Sequence, residues 1–168
     1  EEALHSPLHA PEKFHSLIRR LLKQESRLLL AGEGGSQEDF RKRSVISAAA
    51  EFQQQRCDLF VHDYGLDFLF QLSGLTSRLL GKDLAALTLH LPMELAATAS
   101  GAEEAEKMGY VFCGVVPGTP KGSELLYIHC KNLPELLEGA TPATDSGKRL
   151  VESARNDCRR IRFLTKWD

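Results

Sequence analysis

The stretch from Leu84 to Lys131, LAALTLHLPMELAATASGAEEAEKMGYVFCGVVPGTPKGSELLYIHCK, constrains the fold more than any other part of the chain. Its apolar run Ala85 to Leu91 lies between Gly81 and Pro92, which suits a buried strand and is too brief for a helix. Glu103, Glu104, Glu106 and Lys107 then fall among alanines, all strong helix formers, and Gly109 supplies the left-handed residue with which many helices end. Tyr110 to Val116 and Leu125 to Cys130 are rich in aromatic and β-branched residues and predict two further strands around a Pro117 to Gly122 loop. The order strand, helix, strand, strand places the chain in the mixed α/β (α+β) class.

At 168 residues the chain is long enough to bury one core without staples. A net charge of -2 does not mark a polyanion binder, so nucleic acid is not expected as a partner. No apolar run reaches the roughly 18 residues that span a bilayer, and no signal peptide is recognisable, so neither a membrane nor export is expected. Cys57, Cys113, Cys130 and Cys158 have no CxxC spacing and read as reduced thiols of a cytoplasmic protein.

Along the chain, an extended entry segment leads to Pro11, where a helix begins. Phe14, Leu17, Ile18, Leu21 and Leu22 recur at helical spacing to about Ser26. Leu28 to Ala31 either prolongs this helix or forms a short strand. The cluster Gly32-Glu33-Gly34-Gly35-Ser36 matches neither GxxxxGK[ST] nor GxGxxG and reads as a plain loop rather than a phosphate cradle. Ser44 to Phe52 and Arg56 to Tyr64 form an antiparallel hairpin across Gln53-Gln54-Gln55, with Cys57, Leu59 and Val61 on one face and Asp58, Phe60 and His62 on the other. Asp67 is a good N-cap for a helix Phe68 to Leu80, which is apolar nearly all round and is therefore expected to be largely buried. After Lys131 come a short helix to about Glu138, a Pro/Thr/Ser/Gly-rich linker from Gly139 to Gly147, and a final helix. From Lys148 onward that helix carries seven basic side chains against three acidic ones. Residues 1–140 are expected to form the folded domain, and 141–168 a linker and basic helix packed on it or on a partner, with Trp167 at the docking surface.

Few residues have the pattern of a reactive site. Asp63 and Asp67 flank Gly65 at a strand-to-helix turn, where the simplest roles are a cap and a solvated carboxylate. His62, His90 and His129 lie on strands with no metal-ligand spacing within one element, so no metal is expected. Tyr110 and Tyr127 fit core positions better than general acids. The Pro117 to Gly122 loop is either a simple connection or a flap over a ligand.

Several segments carry a family resemblance. Tyr64-Gly65-Leu66-Asp67, Leu89-His90-Leu91-Pro92-Met93, Met108-Gly109-Tyr110-Val111-Phe112 and Gly122-Ser123-Glu124-Leu125-Leu126-Tyr127 resemble the GNAT acyltransferase fold from its central hairpin onward. More narrowly, they resemble a degenerate GNAT-like module found beside anti-sigma-type ATPase domains or catalytic GNAT domains. The resemblance implies a mixed sheet with a central β-α-β-α-β-β core and flanking helices. It also implies a splayed opening between the strands Cys57 to Val61 and Leu87 to Leu91.

In active members the turn after the fourth strand carries Gln/Arg-x-x-Gly-x-Gly/Ala, whose N–H groups hold the coenzyme A pyrophosphate. Here that place is His62-Asp63-Tyr64-Gly65-Leu66-Asp67, with one glycine and two carboxylates. An acetyl-CoA or other acyl-CoA, if held at all, is expected against His62, Tyr64, Gly65, Asp67, Leu89 and His90. The general-acid tyrosine of many members is replaced by Ala105, so no catalytic residue is assigned. The resulting expectation is a non-catalytic or degenerate domain that binds a small ligand, a protein partner or a neighbouring domain. The alternative is an N-acetyltransferase with an atypical pyrophosphate loop.

Overall fold

The hairpin forms as its alternation predicts. β3 (Val45–Glu51) and β4 (Arg56–Asp63) pair antiparallel, and Gln55 takes a positive φ of 52° to close the turn between them. The structure is a computed structural model that describes residues 7–22, 29–31, 43–82, 84–119 and 122–164. Gly32 to Ser36 and Trp167 lie outside the described residues. After β4 come α2 (Phe68–Leu80), β5 (Ala86–Pro92), α3 (Thr98–Lys107), β6 (Val111–Thr119) and β7 (Gly122–Cys130). The five strands lie in the order β3-β4-β5-β7-β6, with β4 and β5 parallel and every other neighbouring pair antiparallel. This is the expected mixed sheet with its β-α-β-α-β-β core.

Strand alternation decides what the sheet buries. Cys57, Leu59, Leu87, Leu89, Leu91, Leu125 and Tyr127 are fully buried, while Asp58, Phe60, Thr88, His90 and Glu124 on the opposite face are only partly covered. Against the buried face pack Ile18 and Leu22 of α1 (His15–Leu22), Phe68, Leu72 and Leu79 of α2, and Ala102 and Ala105 of α3. Phe14, in the single 3-10 turn before α1, stacks on Phe112 at 4.5 Å and meets Tyr127 edge-on. Gly109 has φ 94°, the left-handed value expected after α3.

Of the two readings of Leu28 to Ala31, the structure takes the short strand: β2 (Leu29–Leu30) pairs in parallel with β1 (Leu8–His9) of the extended entry segment. Three expectations need correction. α2 is buried on one face only, because a helix lying on a sheet touches it along one stripe. Leu66 just before it, and Leu69 and Phe70 in its first turn, are exposed, Phe70 by 81%. The Pro117 to Gly122 loop is mostly strand: β6 runs on through Pro117, and a register shift with Gly118 at φ 63° absorbs the proline's missing N–H. Residues 120 and 121 lie outside the described residues. Finally, β4 and β5 pair from Arg56 with Ala86 through Phe60 with His90, so no opening separates Cys57 to Phe60 from Leu87 to His90.

At the other end, α4 (Leu133–Glu138) leads to α5 (Asp145–Leu164), which starts before Lys148 because Thr144 Oγ1 accepts the Gly147 N–H at 3.1 Å. Ala154, Cys158 and Ile161 of α5 pack with Val111 and Leu133 into a second apolar cluster. Arg155 donates to the Leu137 carbonyl at 2.6 and 3.1 Å and so caps the end of α4.

Candidate functional site

The turn from His62 to Asp67 is closed by its own chain. Ser44, just ahead of β3, donates its backbone N–H to Asp67 Oδ1 at 2.7 Å, and Ser44 Oγ accepts the Gly65 N–H at 2.8 Å. Gln71 Nε2 donates to Asp67 Oδ2 at 2.6 Å, and Asp63 Oδ1 accepts the Tyr64 N–H at 3.0 Å. Asp67 occupies the N-cap position of α2, yet its carboxylate makes no capping bond to the helix backbone, because the Ser44 amide competes for it. That amide bond and then Gln71 hold the Asp67 carboxyl below the usual carboxylate range. Gly65 serves close packing: a Cβ there would lie 2.4 Å from the Arg43 carbonyl carbon and 2.5 Å from Ser44 N.

The other residues singled out from the sequence lie in different surroundings. Tyr64 is buried edge-on against Phe68, with its ring over Gly101, where a Cβ would come within 2.4 Å. Burial drives its phenol far above the ordinary tyrosine value. Leu89 is fully buried in the core. His62 and His90 both lie on the face away from α1 to α3. His62 Nε2 and Ser47 Oγ are 2.7 Å apart, while His90 Nδ1 meets Glu124 Oε2 at 2.9 Å and its ring stacks on Phe60 at 4.3 Å. The six residues therefore divide among a closed turn, the core and the far face of the sheet. Ala105 is fully buried, and its carbonyl accepts the Tyr110 N–H at 3.1 Å. Tyr110 bonds Thr76 Oγ1 at 2.7 Å, and burial pushes its phenol up to about 12.

One well-connected buried carboxylate is not singled out by the sequence. Glu106 on α3, with a side chain only 5% exposed, receives Lys13 Nζ at 2.5 Å and Arg160 Nη2 at 2.7 Å, while the Tyr127 hydroxyl donates to its Oε1 at 3.3 Å. Asp157 joins through Arg160 at 3.3 Å, and burial raises its carboxyl above the usual range. Burial, and then the Glu106 charge, also raise the Tyr127 phenol well above its ordinary value. A shallow cleft of about 470 Å³ beside this cluster is lined by Lys13, Glu103, Glu106, Lys107 and Arg160, among others. Among the described residues no group of three His, Cys, Asp or Glu side chains is placed to hold a metal ion, and no helix is long and apolar enough to cross a membrane.

Strand order and direction, the parallel β4–α2–β5 unit and the Gly109 junction give an α+β fold with the mixed sheet that the resemblance implies. Among solved structures the chain is similar to the N-terminal domain of ribosomal-protein-alanine acetyltransferase from Clostridium acetobutylicum. Identity is 13% and the TM-score 0.39, over 53% of this chain and 74% of that one. No protein-family model matches the sequence, and no curated protein matches it.

Proposed function

We propose that this chain is a degenerate GNAT-like domain that binds a ligand or a protein partner in a regulatory role, and not an N-acetyltransferase with an atypical pyrophosphate loop. The observation that carries this reading is the Asp67 carboxylate, fixed between Ser44 N and Gln71 Nε2 at the start of α2. A helix start receives polyphosphate through free N–H groups and its positive end. Here an anionic side chain already stands there, and the turn's one glycine is consumed by packing on Arg43 and Ser44. The burial of Ala105 in the core gives further support, since a general acid must reach solvent-borne substrate.

The regulated partner would be a protein or neighbouring domain in the cytoplasm, of the anti-sigma ATPase or catalytic GNAT kind that the resemblance implies. Residues 1–140 form the GNAT-like domain in this reading, and residues 141–168 the linker and helix attached to it. The cluster of α5 with Val111 supports that attachment. Isothermal titration with acetyl-CoA tests the reading, and no measurable heat is expected. Micromolar affinity that is lost on Gly65→Pro, in a variant with unchanged circular dichroism, would overturn it in favour of the acyltransferase.

A further inference from the structure

β3 is an edge strand, and among the described residues no strand lies on its outer side. Alternate residues of such a strand present unpaired N–H and C=O groups, a template for another extended segment. Folded proteins usually blunt it with lysine, proline or a bulge. The centre of β3, Ile46-Ser47-Ala48-Ala49-Ala50, has neither lysine nor proline, and its one register irregularity sits at the end, between Val45 and Ile46. Its small side chains leave the approach of a second backbone open.

The ends of the strand select the partner. Phe52, just past β3, is 61% exposed, and Val45 at its start is 49% exposed. The start of β3 is tied to the N-terminus of α2, because Ser44 N donates to Asp67, and the exposed Leu66, Leu69 and Phe70 lie within three residues of Asp67 in the chain. We propose that β3 pairs antiparallel with β3 of a second copy of this chain about a twofold axis at Ala48. In that register Val45 lies opposite Glu51, Ile46 opposite Ala50 and Ser47 opposite Ala49. Phe52 of each copy then reaches the Ser44 end of the other, where Val45 is exposed.

The contact is self-complementary, as a twofold interface requires. It brings the apolar group at one end of the strand onto the apolar group at the other, and it keeps the two Glu51 carboxylates apart. A phenylalanine buries roughly 150–250 Å², so the exposed fractions of Phe52 and Phe70 offer on the order of 250 Å² per copy. With Val45, Leu66, Leu69 and the strand backbones, the pair reaches on the order of 1,000 Å², the threshold for a specific interface. This pairing is independent of whether residues 62–67 hold a ligand.

Sedimentation equilibrium on the 168-residue chain, with variants at the axis, tests the pairing. Ala48 is exposed, so Ala48→Lys and Ala48→Glu are expected to fold normally while placing like charges against each other across the axis. Each alone should raise the dimer dissociation constant at least severalfold, and an equimolar mixture of the two should restore dimers. Phe52→Asp and Phe70→Asp should each weaken the dimer about tenfold. A wild-type chain that stays monomeric at high micromolar concentration overturns the proposal, and hydrogen-exchange protection of β3 in that monomer would assign the edge to another segment of the chain. A dimer that survives Ala48→Lys, or one that the mixture does not rescue, also overturns it.

Discussion

Removing the cations around Glu106 should produce strongly non-additive losses of stability. In the wild type this carboxylate is nearly sealed from water and is balanced by Lys13 and Arg160, whose own side chains are 40% and 43% exposed. Breaking a fully buried pair by deleting one partner costs about 3–5 kcal/mol. Arg160→Ala alone leaves Lys13 and the Tyr127 hydroxyl in place, and water screens part of what is lost, so about 1–2 kcal/mol is expected. Lys13→Ala alone should cost a similar amount. The double variant leaves a buried charge with one neutral hydrogen bond and should cost about 3–5 kcal/mol, exceeding the sum of the singles by at least about 1 kcal/mol. Urea denaturation of the four proteins, with a common m-value, gives the coupling directly. Adding Glu106→Gln to the double variant removes the uncompensated charge and should recover much of the loss. Additive singles, or a triple variant no more stable than the double, would show that Glu106 is solvated and that this electrostatic account is wrong.

Glycine substitutions should split by their surroundings. Gly65→Ala drives a methyl into the Arg43–Ser44 backbone and should destabilise by about 1–3 kcal/mol, whereas Gly74→Ala, in open space within α2, should stabilise by about 0.5–1 kcal/mol; thermal melts of both variants check this. Asp157 supplies a pH test. Its carboxyl is raised by burial, so the folded protein binds that proton more tightly than the unfolded chain does, and its contribution to stability grows as pH falls through the folded pKa towards about 4. Wild type should therefore gain on Asp157→Asn as the pH is lowered across that range in parallel denaturation series, and a difference independent of pH would refute the assignment.

The sheet is legible in the sequence because its central strands alternate cleanly between buried and partly covered positions. Cys57, Leu59 and Val61 lie on the buried face for the reason their spacing indicates. α2 was over-read because composition records how apolar a helix is and not which side meets a sheet; Leu69 and Phe70 look like core in sequence and face outward in the fold. Asp67 holds the N-cap position that the sequence indicates, but its capping bond is absent because a local rule meets a distant competitor, the Ser44 amide. Glu106 left no local trace at all. It sits among ordinary helix-forming residues, and its cations come from positions 93 and 54 residues away. Dispersal of the six candidate site residues has the same origin, since adjacent strand positions such as Leu89 and His90 point to opposite faces.

The path of α5 also bears on how the chain folds during synthesis. Lys13, Glu106 and Tyr127 leave the ribosome well before Arg160, so the sheet with α1 to α3 can assemble while a buried carboxylate still lacks one of its two cations. The nascent domain should therefore pass through a state that already has its final topology but remains open to unfolding and proteolysis. α5 brings Arg160 to Glu106 and so supplies the second cation of that buried carboxylate.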